Sequence, residues 1–224
     1  MVVLEISSGI TVYVKEIEEF LTEDIRKKLS TYTRLLLKYN SYFNLTAILE
    51  PDDIFMKHYM DSLSGLMLLK KIFGNRLYDF KIVDVGTGAG FPGMLFKMVY
   101  PDIDITLIES VKKKVEFLKV ITDAIETKPR IINKNVKEVK EKFDIFLSRG
   151  FSDVFTFIKK TKHMYGEKSH IFFYKGKKNK IIKEFNVVKN IKIGLNIKKA
   201  TLYTISGFVF ERNILELVWE KSLQ

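Results

Sequence analysis

Residues 83–93 read VDVGTGAGFPG, an aspartate followed by glycines at 86, 88, 90 and 93. Closely spaced glycines are needed where a ligand must approach backbone, and three at this spacing exceed what a tight strand-to-helix turn requires. Two ligands compete for the stretch. Gly88-x-Gly90-x-x-Gly93 fits the dinucleotide fingerprint of a nicotinamide-dependent oxidoreductase, and Glu109 lies near the ~20-residue spacing of a ribose-binding acid. Gly86-x-Gly88-x-Gly90 equally fits a loop that holds S-adenosylmethionine. Asp84 favours the second reading, because a carboxylate ahead of the first glycine opposes a diphosphate and suits a ligand carrying an ammonium and a sulfonium. Pro92 makes the start of the following helix rigid.

Other residues could complete such a site. Glu109 follows the apolar run ITLI and is placed to accept hydrogen bonds from two ribose hydroxyls, or to cap the helix opened by Ser110-Val111-Lys112. The segment NKNVK (133–137) ends the third strand, where an adenine ring would lie against backbone and an apolar side chain. Arg149, at the tip of LSRGF, could hydrogen-bond a guanine O6 or a phosphate, orient a methyl donor, or pair with a neighbouring carboxylate. His58 and Asp61 share a helix face at three-residue spacing and read as a hydrogen-bonded pair. If the reaction is methyl transfer, the absence of cysteine excludes attack through a pyrimidine adduct. The four prolines are nowhere adjacent, which removes the loop usual beside exocyclic amines. A ring nitrogen such as guanine N7 needs neither base nor nucleophile, only alignment.

Two helical patterns precede these residues. Thr22 can cap a helix with apolar positions Ile25, Leu29, Tyr32, Leu36 and Tyr39, and Pro51 can open another that Gly74 ends. From residue 81 short apolar strands alternate with amphipathic helices: KIVDV (81–85), DITLIE (104–109), RIIN (130–133), FDIFLS (143–148) and HIFFYK (170–175), with helices near 91–99, 111–126, 151–164 and 177–190. That alternation predicts an α/β fold with a mostly parallel sheet. KATLYTI (199–205) and RNILELVWE (212–220) leave no room for a crossover and predict a C-terminal antiparallel hairpin. Seven strands with this ending is the layout of the Rossmann-like class I methyltransferase sheet. The expected division is an N-terminal helical cap at 1–75 and a methyltransferase core at 76–224.

A formal charge of +11 favours a polyanionic partner, since Lys and Arg neutralise nucleic-acid phosphates. The densest basic runs are Lys112–Lys114, read as a solvated helix face, and Lys175, Lys177, Lys178, Lys180 and Lys183, which follow the fifth strand and could meet RNA phosphate. Tyr39, Tyr42 and Phe43 could stack a base, although their spacing is also that of core residues. His58, His163 and His170 are scattered singly, so no metal site is expected. Neither a membrane span nor a signal peptide is expected, and the reading is a cytoplasmic protein. Oligomeric state is left open, a monomer being favoured.

In this order, YNSYFNLTAILEPDDIFMKHYMDSL, VDVGTGAGFPG, TLIES with KKKVEFL, FDIFLSRGF and FYKGK resemble the RsmG (GidB) family of small-subunit ribosomal RNA guanine-N7 methyltransferases. The resemblance runs from about residue 20 to the terminal hairpin. It implies S-adenosylmethionine as donor and small-subunit (16S) ribosomal RNA, or the ribosomal subunit, as partner. Carried over by motif, Gly86, Phe91, Val136, Lys137 and Arg149 would contact the donor beside Asp84, Gly88, Gly90 and Glu109. Asn44 and His58 would join Arg149 in the acceptor region. Gly150 stands where alanine is frequent, Ala89 where proline is common, and Glu109 replaces aspartate. A non-catalytic RNA-binding module on the same fold remains the third reading.

Overall fold

In the computed structural model, residues 3–7, 9–190 and 196–221 are described. The chain opens with two short strands, β1 (Leu4–Ile6) and β2 (Val12–Tyr13), followed by a 3-10 segment at Val14–Phe20. Helix α1 (Glu23–Phe43) is capped by the Thr22 hydroxyl, which accepts from Ile25 N at 3.3 Å, and buries Ile25, Leu29, Tyr32 and Leu36 as their spacing predicts. Pro51 opens α2 (Pro51–Ile54), which runs through a π-helical turn (Phe55–Met60) into α3 (Asp61–Phe73). Gly74 ends it with φ +57.

The expected alternation follows as β3 (Lys81–Val85), α4 (Gly93–Val99), β4 (Asp104–Ile108), α5 (Lys112–Ala124), β5 (Arg130–Ile132), β6 (Phe143–Arg149), α6 (Val154–Thr161), β7 (Tyr165–Lys175) and α7 (Lys178–Asn190). The terminal hairpin is β8 (Ile197–Ser206) and β9 (Arg212–Glu220). Strands lie in the order β1-β8-β9-β7-β6-β3-β4-β5, with β2 also on β8. Pairing is parallel from β5 to β7, and β9 inserts antiparallel between β7 and β8. The seven strands read from sequence are therefore joined by two more. Residues expected in the helical cap instead hydrogen-bond in parallel to β8 and cover an edge that would otherwise be exposed.

The central strands are buried on both faces, which is why their sequences run apolar without alternation. Ile82, Leu107, Ile145 and Phe172 pack toward α1, α3, α4 and α5, whereas Val83, Phe146 and Phe173 pack toward α6 and α7. All parallel strands end at one edge, where loops meet the N-terminal helices. Crevices of doubly wound sheets form at this edge. Among the described residues no helix is long and apolar enough to cross a membrane.

Candidate functional site

The loop between β3 and α4 carries Gly86, Gly88 and Gly90 at φ +67, +63 and +101, conformations that L side chains rarely adopt. Asp84 lies fully buried beneath it. Its Oδ2 accepts hydrogen bonds from Thr87 Oγ1 (2.6 Å) and Gly93 N (2.8 Å), while Oδ1 has no hydrogen-bond partner among the described residues. Burial raises its pKa to about 6 against the pull of those two bonds. The carboxylate is thus ionised at neutral pH, and its contacts belong to the loop. Asp84 braces the glycine turn from below, where sequence reasoning had aimed it at a ligand.

Glu109, just beyond the end of β4, binds the same loop from the side. Its Oε2 accepts from Gly88 N at 3.0 Å and its Oε1 from Val111 N at 2.8 Å. The second bond reaches the N-cap residue of α5 itself, so the helix has no side-chain cap, and each oxygen keeps a further acceptor site. Between the loop and the ends of β5 and β6 lies a cleft of about 390 Å³, lined by Gly86, Glu109, Val136, Lys137, Gly150 and Phe151 among others. The structure therefore brings together four of the expected donor-binding residues. Lys114, Lys134 and Lys160 add positive charge to the same walls, so the run at 112–114 is not wholly a solvated face. A Cβ built on Gly86 would overlap the Phe151 ring, whereas one on Gly88 would meet nothing nearer than Gly86 O at 4.0 Å. Backbone at Gly88 thus borders open space.

Gly90, Phe91 and Arg149 lie outside that cleft. The Phe91 ring stacks on His58 (centroids 4.8 Å, 13°) and on Tyr32 (5.2 Å, 27°), and is buried in the seam between the helices and the sheet. A Cβ on Gly90 would overlap the Tyr32 hydroxyl, which donates to Ala89 O. Helix packing therefore requires glycine at 90, and the apolar Phe91 serves the core.

That seam holds the second constellation. Asp61 is fully buried and accepts from two arginines: Arg149 Nε on Oδ2 (2.7 Å), and Arg212, whose Nε and Nη2 reach Oδ1 and Oδ2. Arg149 Nη2 also donates to Lys57 O and to His58 Nδ1 (3.0 Å). A guanidinium has only donors, so His58 Nδ1 must be the acceptor, and its Nε2–H donates to Thr46 Oγ1 at 2.7 Å. Burial, then the neighbouring Arg149 charge, depress His58 to about 4, which keeps it neutral as this tautomer requires. His58 and Asp61 do not bond each other, as their spacing suggested. They share Arg149, their positions set by the π-helical turn that widens the helix there. The alternative of an arginine paired with a carboxylate is the one observed for Arg149.

Asn44 is the exposed, left-handed C-cap of α1 (φ 51, ψ 56). The following loop is held by Asn40, whose Oδ1 accepts from Leu45 N (2.7 Å) and Thr46 N (2.9 Å). Asn40, Thr46 and Arg212 escaped sequence reasoning. Asn40 read as the first residue of a break between the two helical runs, whereas α1 continues to Phe43. Arg212 carries no local motif, and it reaches Asp61 only because β9 begins at the edge where β6 ends.

The cleft suits a nucleoside carrying a charged amino-acid arm. It offers backbone at Gly86, the Glu109 carboxylate, and apolar side chains at Ile108 and Val136. Such a group would be held by these residues.

Comparisons with known proteins give the same direction. The family model for GidB, rRNA small subunit methyltransferase G, matches residues 25–204. The chain is 37% identical over 163 residues to the ribosomal RNA small subunit methyltransferase G of Aquifex aeolicus, covering 71% of this chain and 80% of that protein. To the protein of that name from Burkholderia multivorans it is 30% identical over 216 residues, with 91% and 88% coverage. In fold it is similar to magnesium protoporphyrin IX methyltransferase from Synechocystis with bound SAM, at TM-score 0.56 and 14% identity, covering 84% and 97%. It is similar also to a ribosomal protein L11 methylase from Lactobacillus delbrueckii, at TM-score 0.53 and 11% identity, covering 74% and 79%. With a family model spanning most of its length and relatives this similar over most of both chains, the protein belongs to the GidB family, rRNA small subunit methyltransferase G.

Proposed function

We propose that the chain transfers the methyl group of S-adenosylmethionine to N7 of a guanine in small-subunit ribosomal RNA, in the cytoplasm. The observation that carries this reading is the match of residues 25–204 to the family described as rRNA small subunit methyltransferase G, on a chain whose glycine loop borders an open cleft. A net charge of +11 suits an RNA substrate. The nicotinamide reading has no comparable support, since the relatives are methyltransferases by name.

When bound, S-adenosylmethionine supplies an electrophilic methyl group. The residues within 76–224 form the donor side: Gly86 offers backbone, Glu109 the ribose-facing carboxylate while it holds Gly88 N, Val136 and Lys137 the adenine-side wall, and Asp84 holds the loop that presents them. The residues within 1–75 contribute the acceptor side through His58 and Asn44, with Arg149 reaching across from β6. N7 of guanine carries an in-plane lone pair, so no proton need be removed before attack. The seam accords with this, because both ring nitrogens of His58 are committed, one to Arg149 and one to Thr46. Catalysis then rests on alignment of donor and acceptor, with Arg149 fixed by Asp61.

The test is methyl transfer from labelled S-adenosylmethionine to small subunits, and to their naked RNA, from cells lacking the protein, followed by nucleoside mass spectrometry. Labelled 7-methylguanosine at one position is expected. Label on another base atom, or on ribosomal protein, would overturn the reading.

A further inference from the structure

The loop joining β8 to β9 reads GFVFE (207–211) and has a composition the fold does not need. Val209 is 99% exposed. Phe208 packs against the core and the Phe210 ring stacks on it, centroids 4.8 Å apart and planes 22° from parallel. Phe210 is not among the side chains packed on either core cluster. The exposed valine and the stacked phenylalanines make a small apolar tip that suits a partner able to cover it.

Position suggests what does. β9 begins at Arg212 and pairs Asn213 with Lys175, so the loop stands at the edge where the parallel strands end. Two bonds tie it to the turn before α7: Asn213 Nδ2 donates to Gly176 O (2.7 Å), and Lys178 N donates to Glu211 Oε1 (2.7 Å). Beside that turn lies a groove of about 380 Å³, lined by Gly150, Ser152, Lys175, Lys177, Lys180 and Glu184 among others. Gly150 lines both this groove and the donor cleft. Lys175 is half-buried and neutralised by Glu184 at 2.9 Å. Lys177, Lys180 and Lys183 are exposed and make no ion pair among the described residues.

From this juxtaposition we infer that the hairpin loop and the start of α7 form one docking surface for unpaired RNA flanking the acceptor nucleotide. Lys177 and Lys180 meet phosphates along the groove, and Phe210, backed by Phe208, stacks a flanking base. Cationic grooves with aromatic platforms are the general means of holding single strands, and the stacking is tolerant of sequence. The occupant is RNA because free cations line the path and the groove adjoins the donor cleft. This inference rests on the proposed rRNA activity.

The experiment compares the full-length protein with F210A, F210W and K177Q/K180Q. It measures KM and kcat on small-subunit RNA, S-adenosylmethionine affinity, melting temperature and mass in solution. F210A is expected to raise KM for RNA roughly fivefold or more, with donor affinity and melting temperature unchanged, and F210W to restore it. K177Q/K180Q should reduce the slope of log KM against log salt by about 0.7 for each phosphate that is no longer neutralised. Wild-type methylation with KM unchanged in all variants would overturn the docking surface alone. A wild type that is dimeric, and becomes monomeric in F210A with KM unaltered, would overturn it in favour of self-association. Wild-type protein that binds donor yet methylates no RNA would overturn the underlying activity.

Discussion

The donor cleft and the seam beneath the helices sit at the same edge of one sheet and use charge in opposite ways. In the cleft, Lys114, Lys134, Lys137 and Lys160 surround open space and Glu109 holds the loop by backbone bonds. In the seam, fully buried Asp61 and the largely buried Arg149, Arg212 and His58 satisfy one another. A surface charge contributes little to stability and is free to meet a ligand, whereas a buried charge left without its partner is expensive. The cleft should therefore be tuned for binding and the seam for rigidity, and substitutions should separate the two.

The largest effect is expected at Asp61. D61A leaves two guanidiniums with no counter-charge in the seam and should cost about 3–5 kcal/mol, read as a lower urea midpoint at unchanged slope.

Acid should next distinguish two buried groups. His58, depressed to about 4 from its ordinary 6.5, contributes stability that is full above pH 6.5 and lost as pH falls toward 4. Asp84, raised from 3.8 to about 6, contributes stability that is full below pH 3.8 and lost as pH rises through 6. Each difference corresponds to about 3 kcal/mol, with opposite sign, so they offset in the wild type. Between pH 7 and 4, H58Q should lose less stability than wild type and D84N more, each by roughly 2–3 kcal/mol in urea titrations. Identical pH slopes in all three proteins would contradict the assignment.

Glycines sharpen the contrast within one loop. A Cβ at Gly93 would overlap Leu107 and lie 2.9 Å from Asp84 Cβ, so G93A should cost about 1–3 kcal/mol by overpacking. G88A meets open space and should cost only the left-handed strain, about 1–2 kcal/mol. The smallest effect is expected at the exposed pair Lys27–Glu23, 2.7 Å apart, where K27A should change stability by about 0.5 kcal/mol or less.

Where a local pattern carries its own physical cause, the sequence was a good guide. Thr22 capping α1, Pro51 and Gly74 bounding the second helical run, and β3 and β9 all follow from residue type and period. Gly86, Glu109, Val136 and Lys137 meet in one cleft because the doubly wound topology sends every parallel strand end to one edge. What was not legible depends on contacts distant along the chain. β1 and β2 are too short to show a period, and they exist only because β8 offers an edge. Phe91 and Gly90 look like ligand-loop residues until Tyr32 is seen against them. Asp61 looks like a partner for His58 until Arg149 and Arg212 arrive from β6 and β9. Charged residues in a seam carry no period, so only the assembled fold reveals which pairs form.

The role of the glycine loop is central: Gly86 lines the cleft proposed to hold the methyl donor, and a Cβ at neighbouring Gly88 would face open space. Calorimetric titration of the wild-type protein and G88A with S-adenosylmethionine, and with NAD, addresses it directly. The wild type should bind one S-adenosylmethionine per chain and give no heat with NAD, and G88A should weaken donor binding at least roughly tenfold, a loss of about 1.4 kcal/mol. NAD binding, or an undiminished affinity of G88A for S-adenosylmethionine, would contradict it.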